Sequence, residues 1–213
     1  SNFKPVFVDI NLETLSLDDS NLEKVINKKT RAIFLTHLLG LNGLTDKILK
    51  LVKKYKIYLI EDVCESHGAK FRNKKLGNFG DISNFSFYYA HHMSTIEGGM
   101  VCTNNKNIYE KIRIMRGHGL LRESTDKNLK IKKIKEFKNL NKEFLFLYPG
   151  YNLRSTEINA VYGISQIKNL DKNNKKRIAN FKFFLKNLDG EKYVTNFNII
   201  GSCNYAFIIL FNQ

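Results

Sequence analysis

The chain has 213 residues, 43% of them apolar, which is enough to bury a real core and to build one or two domains. It carries 35 Lys and Arg against 20 Asp and Glu, a formal charge of +15, but the excess is lysine scattered along the whole length among many asparagines and isoleucines. A general bias of that kind describes a solvated surface rather than a nucleic-acid site, and no run of eighteen or more apolar residues is present to span a membrane.

The opening residues, from Ser1 to Val6, lack the charged region and apolar stretch of a secretory leader. Cys64, Cys102 and Cys203 are far apart, form no CxxC pair and sit in apolar strand-like segments, so they read as buried thiols of a reducing compartment. The expectation is a soluble, cytoplasmic protein with no bound metal.

In chain order, Val6–Asp9, Ala32–Thr36, Ile57–Asp62 and Ile82–Phe87 are short apolar runs that read as buried strands. Between the first three lie Leu22, Val25 and Ile26, then Ile48, Leu51, Val52 and Tyr55, at the three-and-four spacing of helices packed on a sheet. That alternation predicts an α/β fold with a mostly parallel sheet flanked by helices. Gly98 and Gly99 turn the chain into a further strand, Met100–Thr103, whose direction is not legible.

Beyond Asn104 the pattern is helical. Ile108, Ile112 and Met115 mark one helix, Ile158 to Ile167 a second, and Ile178 to Leu188 a third. The stretch from about Gly119 to Pro149 has no clean period and reads as an exposed excursion, with its densest lysines between Lys127 and Lys142. Asn204–Phe211 reads as a strand that begins a new unit and stops near Gln213. The expected division is a large α/β domain over 1–170, followed at 171–213 by a connecting helix and the start of a small α+β domain.

The polar residues fall at the ends of the strands. Thr36 and His37, Asp62, Ser86 and His91 all map to the carboxyl-end rim of a parallel sheet, where ligands bind in open α/β folds. Asp62 ends a buried strand, and an acid there needs a cationic partner. His91 alone is more often a hydrogen-bonded structural residue than a catalytic one, Asp62 alone a cap or turn former, and Arg154 alone a surface charge.

Read together, Leu59–Ala69, Gly77–Asp81, Phe85–Gly99 and Gly150–Arg154 resemble, in order and spacing, the DegT/DnrJ/EryC1/StrS family of pyridoxal-phosphate (PLP) enzymes of fold type I that act on nucleotide-linked sugars. The likeness runs from about Pro5 to Asp171. It implies Asp62 as the partner of the pyridine nitrogen, Glu65 near the ring oxygen, Ser86 at the cofactor phosphate and Asn152 reaching the phosphate of a neighbouring subunit in a homodimer. His118 and Arg154 would contact the substrate. His91 occupies the position where the aminotransferases of the family carry their Schiff-base lysine.

An imidazole cannot form that bond, so the cofactor would be held noncovalently and the ring left to move protons. Histidine at this position is the mark of the family's sugar 3-dehydratases. The resemblance therefore implies removal of the C3 hydroxyl of a nucleotide-linked 4-keto-6-deoxyhexose, GDP-4-keto-6-deoxymannose first, with L-glutamate converting PLP to pyridoxamine phosphate (PMP). A CDP-sugar dehydratase is the nearer alternative, but it would need cluster-binding cysteines, and none lies between Thr103 and Ser202. The other alternative is a noncatalytic relative that binds a nucleotide sugar or a partner subunit. Against the family pattern the chain looks like the middle of a longer enzyme, lacking the early phosphate-binding turn and most of the small domain.

Overall fold

The computed structural model of the chain describes residues 3–212. The opening at Ser1 and Asn2 and the end at Gln213 lie outside the described residues. Helix α1 (Asp19–Val25) starts where the Asp18 side chain accepts a hydrogen bond from Ser20 N, and it turns Leu22 into the core. Strand β1 (Ala32–Thr36) buries Ile33 and Leu35 while Ala32 and Phe34 face out, the alternation of an extended chain. Helix α2 (Asp46–Tyr55) is capped by Thr45, buries Ile48 and Leu51, and stops at Lys56 in the left-handed conformation.

Strand β2 (Tyr58–Asp62) returns beside β1, and a small hairpin, β3 (Lys70–Phe71) and β4 (Lys74–Lys75), turns through Arg72 and Asn73, both at positive φ. Strands β5 (Ile82–Ser86) and β6 (Gly99–Cys102) complete a four-stranded sheet in the order β1-β2-β5-β6. The first three strands are parallel, whereas β6 runs antiparallel to β5. In this register Thr36 lies beside Asp62, Asp62 beside Asn84 and Ser86 beside Gly99. Thr36, Asp62 and Asn84 are therefore level, and Ser86 stands two residues further along β5.

Helices α3 (Lys106–Arg116) and α4 (Lys127–Glu136) begin at Asn105 and Asp126, whose side chains accept from the first-turn amides. Helix α5 (Glu157–Asn187) is 31 residues long and starts at Thr156. Leu22, Ile33, Leu35, Ile48, Leu59 and Val63 join Cys203 in the main core, and Phe181 of α5 centres a second with Leu15, Leu41, Phe197 and Ile208. No helix among the described residues is long and apolar enough to cross a membrane.

Four expectations need correction. Val6–Asp9 is not a strand: Val6 and Phe7 are exposed, and the pairing nearby is an isolated bridge from Ile10 to Leu17 with a bond from Asp18 N to Asp9 O. Asn204–Phe211 likewise forms no strand among the described residues: it makes the isolated Tyr193–Phe211 bridge and single bonds from Tyr205 N to Leu39 O and from Val194 N to Leu210 O, and a β-prone run forms a ladder only where a second strand runs beside it. The two helices expected on either side of residue 170 are a single one. The polar run at 169–174 looks like a break, yet Leu170 and Asn174 are buried within α5, and no proline interrupts it. Of the cysteines only Cys203 is buried; Cys64 and Cys102 are half-exposed. Within the exposed excursion after Gly119 the lysines of α4, which has no buried residue, mask a helical segment.

One buried charge ties the sheet together. Glu61, with no exposed surface, accepts from Gly77 N (2.8 Å), Phe79 N (2.8 Å) and Gly80 N (2.6 Å) and lies 3.3 Å from His37 Nε2. Burial pushes its carboxyl up, but His37 and the three amides outweigh burial and hold it below the usual carboxylate range. Glu61→Gln places an amide donor against amide donors and is expected to cost about 2–4 kcal/mol at neutral pH in urea unfolding of the intact protein. Because the folded-state pKa is depressed, this stability is present above the unfolded carboxylate value and is lost as pH falls through the folded one. The gap between native and variant should therefore narrow on acidification, and a gap independent of pH would show that Glu61 is not held as a carboxylate.

Candidate functional site

The rim at the ends of β2 and β5 gathers the first group of residues. Asp62 closes β2; its Oδ1 accepts from Cys64 N (3.1 Å) and Asn84 Nδ2 (3.0 Å), and among the described residues it has no cationic partner within salt-bridge distance. The half-buried carboxylate is thus oriented but not neutralised. Cys64 beside it is pushed up to about 12, first by burial and then by Asp62, so it stays a thiol near neutral pH. Glu65 is held from the other side by Leu39 N, which donates to Oε2 at 2.8 Å.

Ser86 ends β5, and its Oγ accepts from Tyr88 N at 3.3 Å. From there the chain leaves the sheet and returns as β6, closed at its neck by Phe87 N to Gly98 O (2.9 Å) and Thr95 N to Phe87 O (2.9 Å). This loop presents His91, whose backbone N–H turns back to Tyr88 O at 3.0 Å. Ile96, a β-branched residue at φ +72°, is held in the left-handed region by its N–H bond to Ser94 Oγ. Such strain persists only where the surroundings enforce it.

His91 does not stand alone. Its ring centroid lies 6.2 Å from that of His67, 5.8 Å from Tyr88 and 5.6 Å from Tyr205. Its Nδ1 is buried without a partner. His92 follows it in the chain, and His92 Nε2 lies 3.3 and 3.2 Å from the carbonyl oxygens of Cys203 and Asn204. His67 and Tyr205 are the residues that reading along the chain misses. His67 lies inside the Glu65–Gly68 run but carries no spacing signal of its own, and Tyr205 arrives from more than a hundred positions downstream.

The remaining expected residues form a second group. His118, at φ +64°, and Asn152 are exposed, and the turn at 117–119 grips the chain at 147–153 through His118 N to Tyr151 O (2.9 Å), Leu147 N to Gly119 O (2.8 Å) and Leu153 N to Arg116 O (2.9 Å). Arg154 donates from Nε to Asn152 Oδ1 (3.0 Å) and pairs through Nη1 with Glu123 at 3.2 Å. Among the described residues no hydrogen bond or ring contact joins this group to Asp62, Ser86 or His91. It lies beside exposed Tyr151, Leu153, Ile158 and Val161, a larger apolar face than isolated surface residues make.

The first group fits PLP. A carboxylate free to meet a protonated ring nitrogen, a hydroxyl with an adjoining amide at a strand end, and an imidazole with buried and accessible sides are the donors and acceptors that the cofactor requires. No group of three or more His, Cys, Asp or Glu among the described residues is arranged for a metal ion.

Comparison with known proteins agrees with the fold. The sequence signature of the DegT/DnrJ/EryC1/StrS aminotransferase family matches residues 1–209. The chain is 37% identical over 188 residues to a GDP-4-keto-6-deoxy-D-mannose 3-dehydratase of Escherichia coli O55:H7, covering 88% of this chain and 48% of that protein. The solved E. coli GDP-4-keto-6-deoxy-D-mannose 3-dehydratase with bound hydrated PLP superposes with a TM-score of 0.85 at 34% identity, over 97% of this chain and 53% of the other. A second structure of such a dehydratase, holding a trapped PLP-glutamate geminal diamine, also gives 0.85, at 33% identity and over 97% and 54%. The chain spans about half the length of the curated relatives it matches, and its α/β architecture is that of fold type I PLP enzymes.

Gly119 controls the second group. It sits at φ +83°, and an added Cβ would lie 1.8 Å from the Tyr148 carbonyl oxygen. Gly119→Ala is therefore expected to detach the 147–153 segment, at a cost of about 2 kcal/mol or more, and to speed proteolytic nicking there while leaving the 62–91 rim intact. Unchanged proteolysis would show that the turn does not hold Asn152.

Proposed function

The chain belongs to the DegT/DnrJ/EryC1/StrS family, and from that premise we propose that its protein is a PLP- and glutamate-dependent nucleotide-sugar 3-dehydratase. It removes the C3 hydroxyl of a 4-keto-6-deoxyhexose in deoxysugar biosynthesis, with GDP-4-keto-6-deoxy-D-mannose as the substrate. The carrying observation is the imidazole at residue 91, beyond the Ser86 strand end and among aromatic rings, in a tract from Phe85 to Gly99 that contains no lysine. The likeness to dehydratases that bind PLP and a PLP-glutamate adduct supports the same reading.

The parts divide as follows. Asp62, unneutralised by the protein, pairs with the protonated ring nitrogen; Glu65 lies by the ring oxygen; Ser86 and the Tyr88 amide take the phosphate. Bound as PMP, the cofactor would supply, on loss of a proton from its aminomethyl carbon, the two electrons that expel the C3 hydroxyl of the attached sugar, and would return to the PLP level in doing so. His91 accepts that proton and can return one to the leaving hydroxyl. With no amine at residue 91 to recapture the ring, release by hydrolysis follows, giving ammonia and a 3-deoxy keto sugar.

The second group belongs to assembly on this reading. Asn152, exposed beside an apolar face, reaches the phosphate of a partner copy, so the enzyme acts as a homodimer; His118 and Arg154 meet the nucleotide sugar near the same boundary. The part of α5 beyond residue 170 then serves as the connecting helix that leads from a large domain over 1–170 into the start of a small one within 171–213. The competing reading within the family is transamination, in which nitrogen stays on the sugar.

The product separates the two. Incubation of the intact protein with PLP, glutamate and GDP-4-keto-6-deoxymannose should release ammonia and a sugar lighter by one oxygen. An amino sugar that keeps its C3 oxygen would defeat the dehydratase. His91→Asn should keep the cofactor absorbance and lower turnover about 10²- to 10⁴-fold, and full activity in that variant would remove His91 from the chemistry.

A further inference from the structure

Among the described residues four imidazole nitrogens are buried with no hydrogen-bond partner: Nδ1 and Nε2 of His67, Nδ1 of His91 and Nδ1 of His92. An unpaired buried polar atom is costly, and four around one point call for a common cause. His67 is 3% exposed and lies between the other two rings, with centroids 5.8 Å from His92 and 6.2 Å from His91. Phe85 and Phe87, each 5.8 Å from the His67 ring, cover its remaining sides. An apolar side chain could fill this place without leaving polar atoms unpaired.

The polarity of the cluster is fixed from one end. His92 Nε2 faces two carbonyl oxygens, at 3.3 Å from Cys203 and 3.2 Å from Asn204, and the Cys203 Sγ at 3.2 Å; the carbonyls can only accept and a lone pair on Nε2 would face both of them, so Nε2 carries the proton and Nδ1 is a bare acceptor. Only a donor can satisfy His92 Nδ1, and His67 is the ring with one to spare. Having donated there, His67 offers an acceptor at its other nitrogen. The group meeting it, His91 Nδ1, must then be protonated, which leaves the lone pair on His91 Nε2.

We propose that His92, His67 and His91 form a directional imidazole relay through which the main-chain carbonyls of Cys203 and Asn204 set the tautomer of His91. The inference rests on the reading of His91 as the proton-transfer group and makes His67 a positioning residue, one that acts through His91 and not on the substrate. A direct N–H···N bond of ~2.9 Å brings facing ring centroids to roughly 5 Å, so the observed gaps close by a small shift of the rings. Burial, then His92 and His91, holds His67 down to about 4. Burial and Arg177 outweigh the Cys203 and Asn204 carbonyls and hold His92 at about 4 as well. Both rings are therefore neutral near pH 7, as a relay of single tautomers requires.

Side-chain 15N NMR of the intact protein, recorded with and without PLP, reads the tautomer of each ring. The native protein should show His91 protonated at Nδ1 and His92 at Nε2. His67→Phe preserves the aromatic shape and removes both nitrogens; it should turn His91 into a tautomer mixture, leave His92 unchanged, and lower kcat for C3 elimination about tenfold or more with KM within about twofold. His67→Gln, which keeps a donor and an acceptor, should restore part of both. A His91 spectrum and kcat unmoved by His67→Phe would overturn the relay, and so would a native His91 protonated at Nε2, a result that needs no variant to fold. The spectrum also separates this inference from the reaction: a His67-dependent tautomer in a protein without dehydratase activity leaves the relay standing, whereas dehydration with an unmoved tautomer removes the relay alone.

Discussion

The Glu61 carboxylate fixes the geometry from which the site is built. Buried at the end of β2, it gathers three amide donors from the 77–80 loop and faces His37 at the end of β1. Successive residues of a strand point to opposite faces, so drawing Glu61 into the protein turns Asp62 to the other side. Bonds from His37 N to Asp62 O and from Val63 N to Asn84 O carry the ladder past the strand ends and hold the rim level. A carboxylate buried this deeply survives only because its lone pairs are met, and meeting them brings three separate chain segments into register.

The rim is then closed from the far side of the molecule. Asn174 of α5 donates to the His67 carbonyl at 2.7 Å, and Arg177, one turn on, donates to the Tyr205 carbonyl at 2.9 Å. Cys203 N and Tyr205 N bond to Gly40 O and Leu39 O, next to the residue that holds Glu65. The long helix thus does more than connect segments. It clamps the two stretches that supply His67 and Tyr205, so that packing along α5 sets the surroundings of His91.

The sheet was legible in the chain because its strands are short, apolar and separated by helices of clear period: Ala32–Thr36, Tyr58–Asp62 and Ile82–Ser86 fall where the pattern puts them. Val6–Asp9 and Asn204–Phe211 have the same composition but meet their neighbours only at isolated bonds and bridges, and composition alone cannot report that. Asn174 misled in a different way. It is polar because it bonds a buried carbonyl across the fold, and along the chain it looks like the end of a helix. At the site, Asp62, Ser86 and His91 could be placed because each sits at or just beyond a strand end. His67 and Tyr205 could not, since their meeting with His91 depends on contacts between residues far apart in sequence.

The proposed function depends on a ring standing at residue 91, where the family's aminotransferases would tether the cofactor through a primary amine. The most direct measurement is borohydride reduction of the PLP-loaded intact protein, followed by peptide mass spectrometry. Free pyridoxine phosphate and an unmodified chain are the expected result. A pyridoxyl group reduced onto a lysine of the protein would contradict the account, because the cofactor would then be held by the bond that His91 cannot make.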